Sequence, residues 1–243
     1  MRLDFSAVLH YWPVFLHGFL LTLAASVLAL APSVALGAAI ALGRLSRLRL
    51  MAVAMLMLIE AIRDLPFMVI LFVMFYLPPA FGLRLPAFWI GVFTLSIYSG
   101  VYFAEIIRGA VLSVPRGQMD SARATGMSQY QALRHVVFPQ MMGYFLPPAT
   151  NQAIMLVKDS SVLSTITIAE LTMSGRIVMT YTVAPVEIFI IITALYWLIC
   201  AAVSQAGKRL EARLQQRVRR PNGHPAVNAV SAKAAMLGRA CHD

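Results

Sequence analysis

Val14-Phe-Leu-His-Gly-Phe-Leu-Leu-Thr-Leu-Ala-Ala-Ser-Val-Leu-Ala-Leu-Ala-Pro-Ser-Val-Ala-Leu-Gly-Ala-Ala-Ile-Ala-Leu42 contains no Asp, Glu, Lys or Arg. About 20 apolar residues cross a hydrocarbon core of about 30 Å, so this stretch is long enough for a tilted transmembrane helix. The whole chain agrees with it. Of 243 residues, 60% are hydrophobic and 12% are charged, against roughly a quarter charged in an ordinary soluble domain. A mean hydropathy of +0.76 excludes a disordered chain and argues against a soluble enzyme of this size, which needs more polar surface than these residues supply. Ala29-Leu30-Ala31 resembles a signal-peptidase site, but the apolar character continues to Leu42, and Met1 to Tyr11 holds one Arg and one Asp. The segment is therefore expected to stay as a helix.

Uncharged stretches place the spans at about 14–42, 51–77, 85–112, 136–157 and 186–206, after an outer N-terminal segment 1–13. Glu60, Arg63, Asp64 and Pro66 interrupt the second, which counts as one span with a polar break. Five spans put the termini on opposite sides. With the N-terminus outside, the inner segments hold fifteen of the 20 Lys and Arg residues and the outer ones four, with Arg63 inside the broken span. That bias predicts an N-out, C-in chain. The formal charge of +10 thus reads as an orientation signal rather than as nucleic-acid binding, and the cluster from Lys208 to Arg220 adds attraction to anionic membrane lipid. Residues 211–243 lack periodicity and read as a basic, disordered cytoplasmic tail. Cys200 and Cys241 make no disulfide framework, and His10, His17 and His135 have no metal-ligand spacing. Tyr11 and Trp12 suit the outer aromatic belt.

The inner loop 113–135 is unlike a simple connector. Pro115 stops the preceding helix, Gly117 to Thr125 is helix-compatible, and Gly126 suits a left-handed helix ending. Ser128 with Gln131 makes a capping box for a second helix running to about Val137, before Pro139. The short helix carries Ser121, Ala122, Ala124 and Thr125 beside Asp120 and Arg123, small side chains that let another protein approach its backbone. A helix lying on its own bundle or on lipid headgroups fits the same pattern.

Asp120-Ser121-Ala122, Gly126 and Phe138-Pro139-Gln140 resemble the Glu-Ala-Ala...Gly...Leu-Pro loop of the integral membrane subunits of bacterial ABC importers. Tyr102 to Gly109, Val114 to Gln118, Pro139-Gln140 and Lys158-Asp159-Ser160-Ser161 are similar to the permeases for polar amino acids. Arg63-Asp64-Leu65-Pro66 resembles their Arg-Gly-Thr-Pro element and Gly18 to Thr22 their Gly-x-x-x-Thr start. The likeness runs in order from about residue 14 to 210. Asp120 and Ser121 depart mildly from the usual Glu and Ala; Asp64 and Leu65 replace Gly and Thr, which alters backbone freedom and charge beside Arg63.

The resemblance implies an all-α integral membrane protein of the type I ABC importer kind, in a bacterial inner membrane. Its segment from about 115 to 131 would be a coupling helix seated on a separate ATP-binding subunit, with Gly117, Gln118, Asp120, Ser121, Ala122, Arg123 and Gly126 as the coupling residues. A second permease subunit, a periplasmic solute-binding protein and an amino-acid substrate are the other partners it implies. No Gly-x-x-x-x-Gly-Lys-Ser/Thr loop occurs, so ATP is expected on the partner and no cofactor on this chain.

Ionisable groups at bilayer depth usually face a cavity or a partner. Glu60 and Asp64 share a helix face with Arg63 adjoining both; a span starting at Met51 puts Glu60 roughly 14 Å in, whereas one starting at Leu65 puts the group at the inner mouth. A structural ion pair is the plainer reading of the three. Glu105 and Arg108 read as a local pair. Pro147-Pro148 is expected to break the fourth span, freeing carbonyls beside Asn151 and Gln152. Asn151, Lys158 and Asp159 are then candidate path residues with Glu60, Arg63 and Asp64: Lys158 for a carboxylate and Asp159 for an ammonium, unless the last two pair with each other. An importer of another small polar solute, such as an opine-type amino-acid derivative, is the second reading. A membrane enzyme lacks any His-Glu-x-x-His, Gly-x-Ser-x-Gly or positioned cysteine, and a passive channel has no use for a docking helix.

Overall fold

The computed structural model describes residues 5, 8, 10–182 and 184–219, with side chains to residue 214. The expectations for most of segment 1–9, for Cys241 and for the tail beyond 219 lie outside the described residues. The elements are α1 (Trp12–Arg44), α2 (Arg49–Arg63), α3 (Phe67–Ala80), α4 (Ala87–Leu112), α5 (Arg116–Ala124), α6 (Gln129–Ala132), a π-helical turn (Leu133–Val137), α7 (Phe138–Asp159), a 3-10 turn (Ser160–Ile166), α8 (Leu171–Tyr181) and α9 (Pro185–Arg219). Among the described residues there is no strand.

Helices α1, α4 and α9 are each long and apolar enough to cross a membrane, and the run from Gln129 to Ile166 passes together with α8, from which it is bent by 48°. Pairing of α1 with α4 forms the centre. Its seam is rich in small residues, Ser26, Ala29, Ser33 and Gly37 on α1 and Ser96, Ser99 and Gly100 on α4, all buried. A side chain built on Gly37 would meet Phe103 Cβ at 2.7 Å and the Gly100 carbonyl at 2.8 Å. Such close backbone approach replaces the hydrophobic drive that is missing between helices in lipid. Two of the seam's hydroxyls turn back on their own helices, Ser33 Oγ donating to the Ala29 carbonyl and Ser96 Oγ to that of Val92, each at 2.7 Å, whereas those of Ser26 and Ser99 are buried without a partner among the described residues.

Three apolar clusters fasten the remaining elements to this pair. Ala25, Leu71, Leu95, Leu156 and Leu163 join α1, α3, α4, α7 and the 3-10 turn. Phe15, Leu171, Val178 and Ile188 join α1, α8 and α9. Ile40, Ile59, Val101 and Ala104 join α1, α2 and α4. Leu20, Val27, Leu42 and Trp197 are left more than half exposed, as lipid-facing side chains should be.

Several expected boundaries move. The polar break in 51–77 is a complete helix end: Pro66 disfavours the helical conformation of Leu65, and α3 restarts at Phe67 and runs past residue 77 to Ala80. The helix expected to stop before Pro139 does not stop. Pro139 has no N–H and its ring crowds the carbonyl four residues back, and a π-helical turn at 133–137, where the Phe138 N–H reaches back to the Leu133 carbonyl, accommodates it. Pro147 and Pro148 leave α7 intact. They deprive the carbonyls of Gly143 and Tyr144 of their usual donors, but both residues lie on the exposed side of the helix. The discontinuity comes later instead, at the 3-10 turn ending at Thr167, whose φ of 66° is left-handed. Residues 211–219 continue α9 rather than starting a disordered tail, because Glu, Ala, Arg, Leu and Gln are strong helix formers.

The α1–α4 seam yields a test. Gly37→Ala should destabilise the protein in detergent by about 1–3 kcal/mol through overpacking. Gly143→Ala, where an added Cβ meets nothing within 4 Å, should be neutral or stabilising by up to about 1 kcal/mol. Thermal unfolding of the two variants beside the unaltered protein checks the contrast.

Candidate functional site

The break after α2 leaves Arg63 at a helix C-terminus, where the backbone dipole favours a cation. Its guanidinium lies over the Tyr102 ring, 5.4 Å from the centroid. Tyr98 stands one turn away on α4 with the two hydroxyls 3.2 Å apart, and Phe67, the first residue of α3, packs its ring 5.0 Å from that of Tyr98. Asp159, at the end of α7, acts electrostatically on Tyr98 together with Arg63. Tyr98 is ~17 Å from the start of α4 at 1.5 Å per residue, which puts the group well inside the longest helix pair.

Of the six path residues expected from sequence, the structure brings Arg63 onto the tyrosine pair, and the charge of Asp159 acts on Tyr98 from the end of α7. Glu60 and Asp64 are exposed, and among the described residues neither forms an ion pair with Arg63. The structural ion pair expected there is corrected: Arg63 spends its charge on an aromatic face. Lys158 and Asp159 do not pair either. Successive residues on a helix point about 100° apart, and Lys158 faces a separate cavity of about 280 Å³ that it lines with Ser161, Thr172 and Tyr196. Asn151 is seven residues before Lys158 on the same face, ~10 Å away along the axis. Tyr144, Pro147, Asn151, Met155 and Lys158 form an exposed stripe along α7. Glu105 and Arg108 pair as expected, at 2.7 Å.

Sequence reasoning missed Glu170. Its side chain is fully buried and caps α8, Oε1 accepting from the Met173 N–H at 2.9 Å and Oε2 from the Thr172 N–H at 3.0 Å. Tyr196 on α9 donates its hydroxyl to Oε2 at 2.6 Å, and the Leu171 N–H is taken by Thr22 Oγ1 of α1 at 3.1 Å. One carboxylate thus closes the end opened by the bend and ties α8 to α9. Glu is not among the usual N-cap residues; the available signal was an acid alone between apolar neighbours just before Leu171.

The inner corner takes the expected shape. Gly126 has φ +89°, and α5 ends with both hydrogen bonds of a Schellman motif, Gly126 N–H to the Arg123 carbonyl and Met127 N–H to that of Ala122. Ser128 and Gln131 form the capping box. Gly117, Gln118, Asp120, Ser121, Arg123 and Gly126 are exposed, whereas Ala122 turns inward and is buried. Exposed Met127, Tyr130 and Leu133 add apolar surface beside them, which the sequence reading did not include.

Residues 33–216 match the family described as binding-protein-dependent transport system inner membrane component. The chain is 33% identical over 214 residues to the probable glutamine ABC transporter permease protein GlnM of Bacillus subtilis (strain 168), covering 88% of this chain and 99% of that one. It is 36% identical over 217 residues to the glutamine transport system permease protein GlnP of Escherichia coli (strain K12), with the same coverage of each. A chain in the crystal structure of an amino acid ABC transporter with histidines superposes with a TM-score of 0.80 at 35% identity, covering 88% of this chain and 100% of that one.

The Glu170 network predicts a graded loss of stability. Glu170→Ala removes a cap and leaves the half-buried Tyr196 hydroxyl with Thr172 Oγ1 as its remaining partner, which should cost about 1–3 kcal/mol. Glu170→Gln keeps an acceptor oxygen and should cost less than half of that. Denaturation of the purified variants measures both.

Proposed function

The chain belongs to the inner membrane component family of binding-protein-dependent transport systems, and on that premise we propose that it is the permease subunit of an ATP-driven importer of polar amino acids. The relatives named for glutamine support this substrate class. In this reading the chain has five spans, N-out and C-in: α1, α2 with α3 as a broken span, α4, α7 with its bent continuation α8, and α9. The spans sit in a bacterial inner membrane, with Lys208, Arg209 and Arg213 at the inner lipid surface. A second permease subunit completes the membrane unit, and a periplasmic binding protein delivers the solute.

The observation that supports the substrate reading is Arg63 seated over the Tyr102 ring, whose hydroxyl meets that of Tyr98, with the charge of Asp159 acting on Tyr98 as well. An amino acid presents a carboxylate and an ammonium a few ångströms apart, and a guanidinium and a carboxylate separated by aromatic rings suit both ends. Lys158 and Asn151 then line the approach along the exposed stripe of α7, and Glu60 and Asp64 line it on the α2 side. An opine-type derivative has the same charged ends, so it remains the second substrate reading.

Energy comes from ATP bound by a partner subunit. Gly117, Gln118, Asp120, Ser121, Arg123 and Gly126 would meet that subunit, with Met127, Tyr130 and Leu133 as the apolar part of the contact, and Ala122 would hold α5 against its own chain. Closure of the ATPase pair then moves the docked helices together and rocks the spans to expose the path alternately on each side.

Two measurements test the assignment. Asp159→Asn and Tyr102→Leu should each lower uptake of labelled polar amino acids by reconstituted importer about tenfold, a loss of about 1.4 kcal/mol in binding, with assembly unchanged. Gly126→Val places a branched residue in the left-handed region, at a cost of about 1–2 kcal/mol, and should cut co-purification of the ATPase subunit about tenfold. Unchanged uptake in both path variants would remove the tyrosine pair from the path, and full co-purification would remove the corner from the docking surface.

A further inference from the structure

The two glutamines that flank the inner loop meet. Gln140 Nε2 donates to Gln118 Oε1 at 3.0 Å, across 22 residues of chain. Gln118 is in the first turn of α5 and Gln140 in the first turn of α7, so this bond spans from the short helix to the long one. A second tie lies alongside it, because α5 also packs against the π-helical turn, with Ala122 as its buried residue. From that turn the chain is helical without interruption to Asp159 and Lys158.

These ties decide how a push on α5 travels. The covalent route from α5 to α7 runs through the Gly126 corner, α6 and a π-helical turn, and π-helical turns are points of altered geometry that often mark functional sites. A displacement entering at α5 would be absorbed along that route if nothing bridged it. The amide pair bridges it, fixing the angle between α5 and α7 at a point beyond the π turn. The glutamines suit such a role chemically. Both are uncharged, Gln118 exposed and Gln140 half-buried, so the bond is a directional link that adds modestly to folding, since a hydrogen bond within reach of water largely replaces one made to water.

We propose that Gln118 and Gln140 are a pair of positioning residues that hold the docked helix α5 rigidly to α7, so that movement of the ATPase subunit reaches the solute path at Asp159 instead of being lost in the loop. This rests on the reading of α5 as the ATPase-docking helix. Breaking the bond from the Gln140 side, outside the docking surface, should therefore separate ATP hydrolysis from transport while leaving the assembly in place.

The test uses the complete importer, permease with its ATPase and binding protein, in proteoliposomes. The ratio of solute moved to ATP hydrolysed is measured per assembled complex with a labelled mixture of polar amino acids. Gln140→Ala should hydrolyse ATP within twofold of the unaltered complex and lose at least fivefold in the ratio. Gln118→Ala should lose a similar factor, and the double variant should be no worse than either alone within twofold, since both remove one bond. Gln118→Glu with Gln140→Lys restores a donor and an acceptor and should recover at least half of the ratio, which a general structural defect would not do. Where Gln140→Ala assembles poorly, Gln140→Leu keeps the side-chain bulk and is read in its place. A ratio within twofold of the unaltered complex in the Gln140 variant, or losses that multiply in the double variant, would overturn the clamp. Absence of uptake by the unaltered complex would instead overturn the functional reading, and the clamp with it.

Discussion

Backbone amides inside a bilayer have no water to turn to, so every departure from a helix must be settled within the chain. The fold departs three times from regular helix in its apolar regions, after Arg63, at 133–137 and at 160–170. Each departure has its own settlement. The first is a proline-directed helix end; in the second, ahead of Pro139, the Phe138 N–H shifts by one residue to the Leu133 carbonyl. The third needs a side chain, and Glu170 supplies it with help from Thr22 and Tyr196. The straight helices α1 and α4 can then pack through small residues, because the irregular parts are concentrated elsewhere. What the irregular parts hold is chemistry: Arg63 ends one helix and rests on Tyr102, and Asp159 ends another and acts by its charge on Tyr98.

How far this was readable from sequence depended on the range of the interaction. The spans around α1, α4 and α9 follow from runs of apolar residues, a property of each segment alone. Gly126, Ser128 and Gln131 were legible for the same reason, since a helix cap involves residues within one turn. Pro147-Pro148 misled because a proline pair removes donors but does not decide whether the helix ends; neighbouring elements decide that. Pro139 misled in the opposite direction, because a π-helical turn is a compromise that residue patterns do not announce. The pairings of Gln118 with Gln140 and of Glu170 with Tyr196 join residues 22 and 26 positions apart. Neither spacing has any helical period that a sequence reading could use.

The charged residues repeat the lesson at the site itself. Lys158 and Asp159 are neighbours in sequence, and adjacency made a pair of them in the simplest reading. A helix separates adjacent side chains by about 100°, so one serves a cavity beside α8 and α9 and the other an aromatic pair on α4. In the same way Arg63 adjoins Asp64 yet rests on Tyr102. Where few charges are present, what each one faces matters more than which charges stand next to it.

The cap on α8 also bears on the order in which the chain is assembled. Glu170 can take the Thr172 and Met173 amides as soon as α8 forms, but the Tyr196 hydroxyl arrives only with α9, which follows it in the chain. Until then the carboxylate has too few partners to leave the aqueous face of the membrane at low cost. Helix α8 therefore gains its full set of hydrogen bonds only when α9 packs beside it, so the two are completed together.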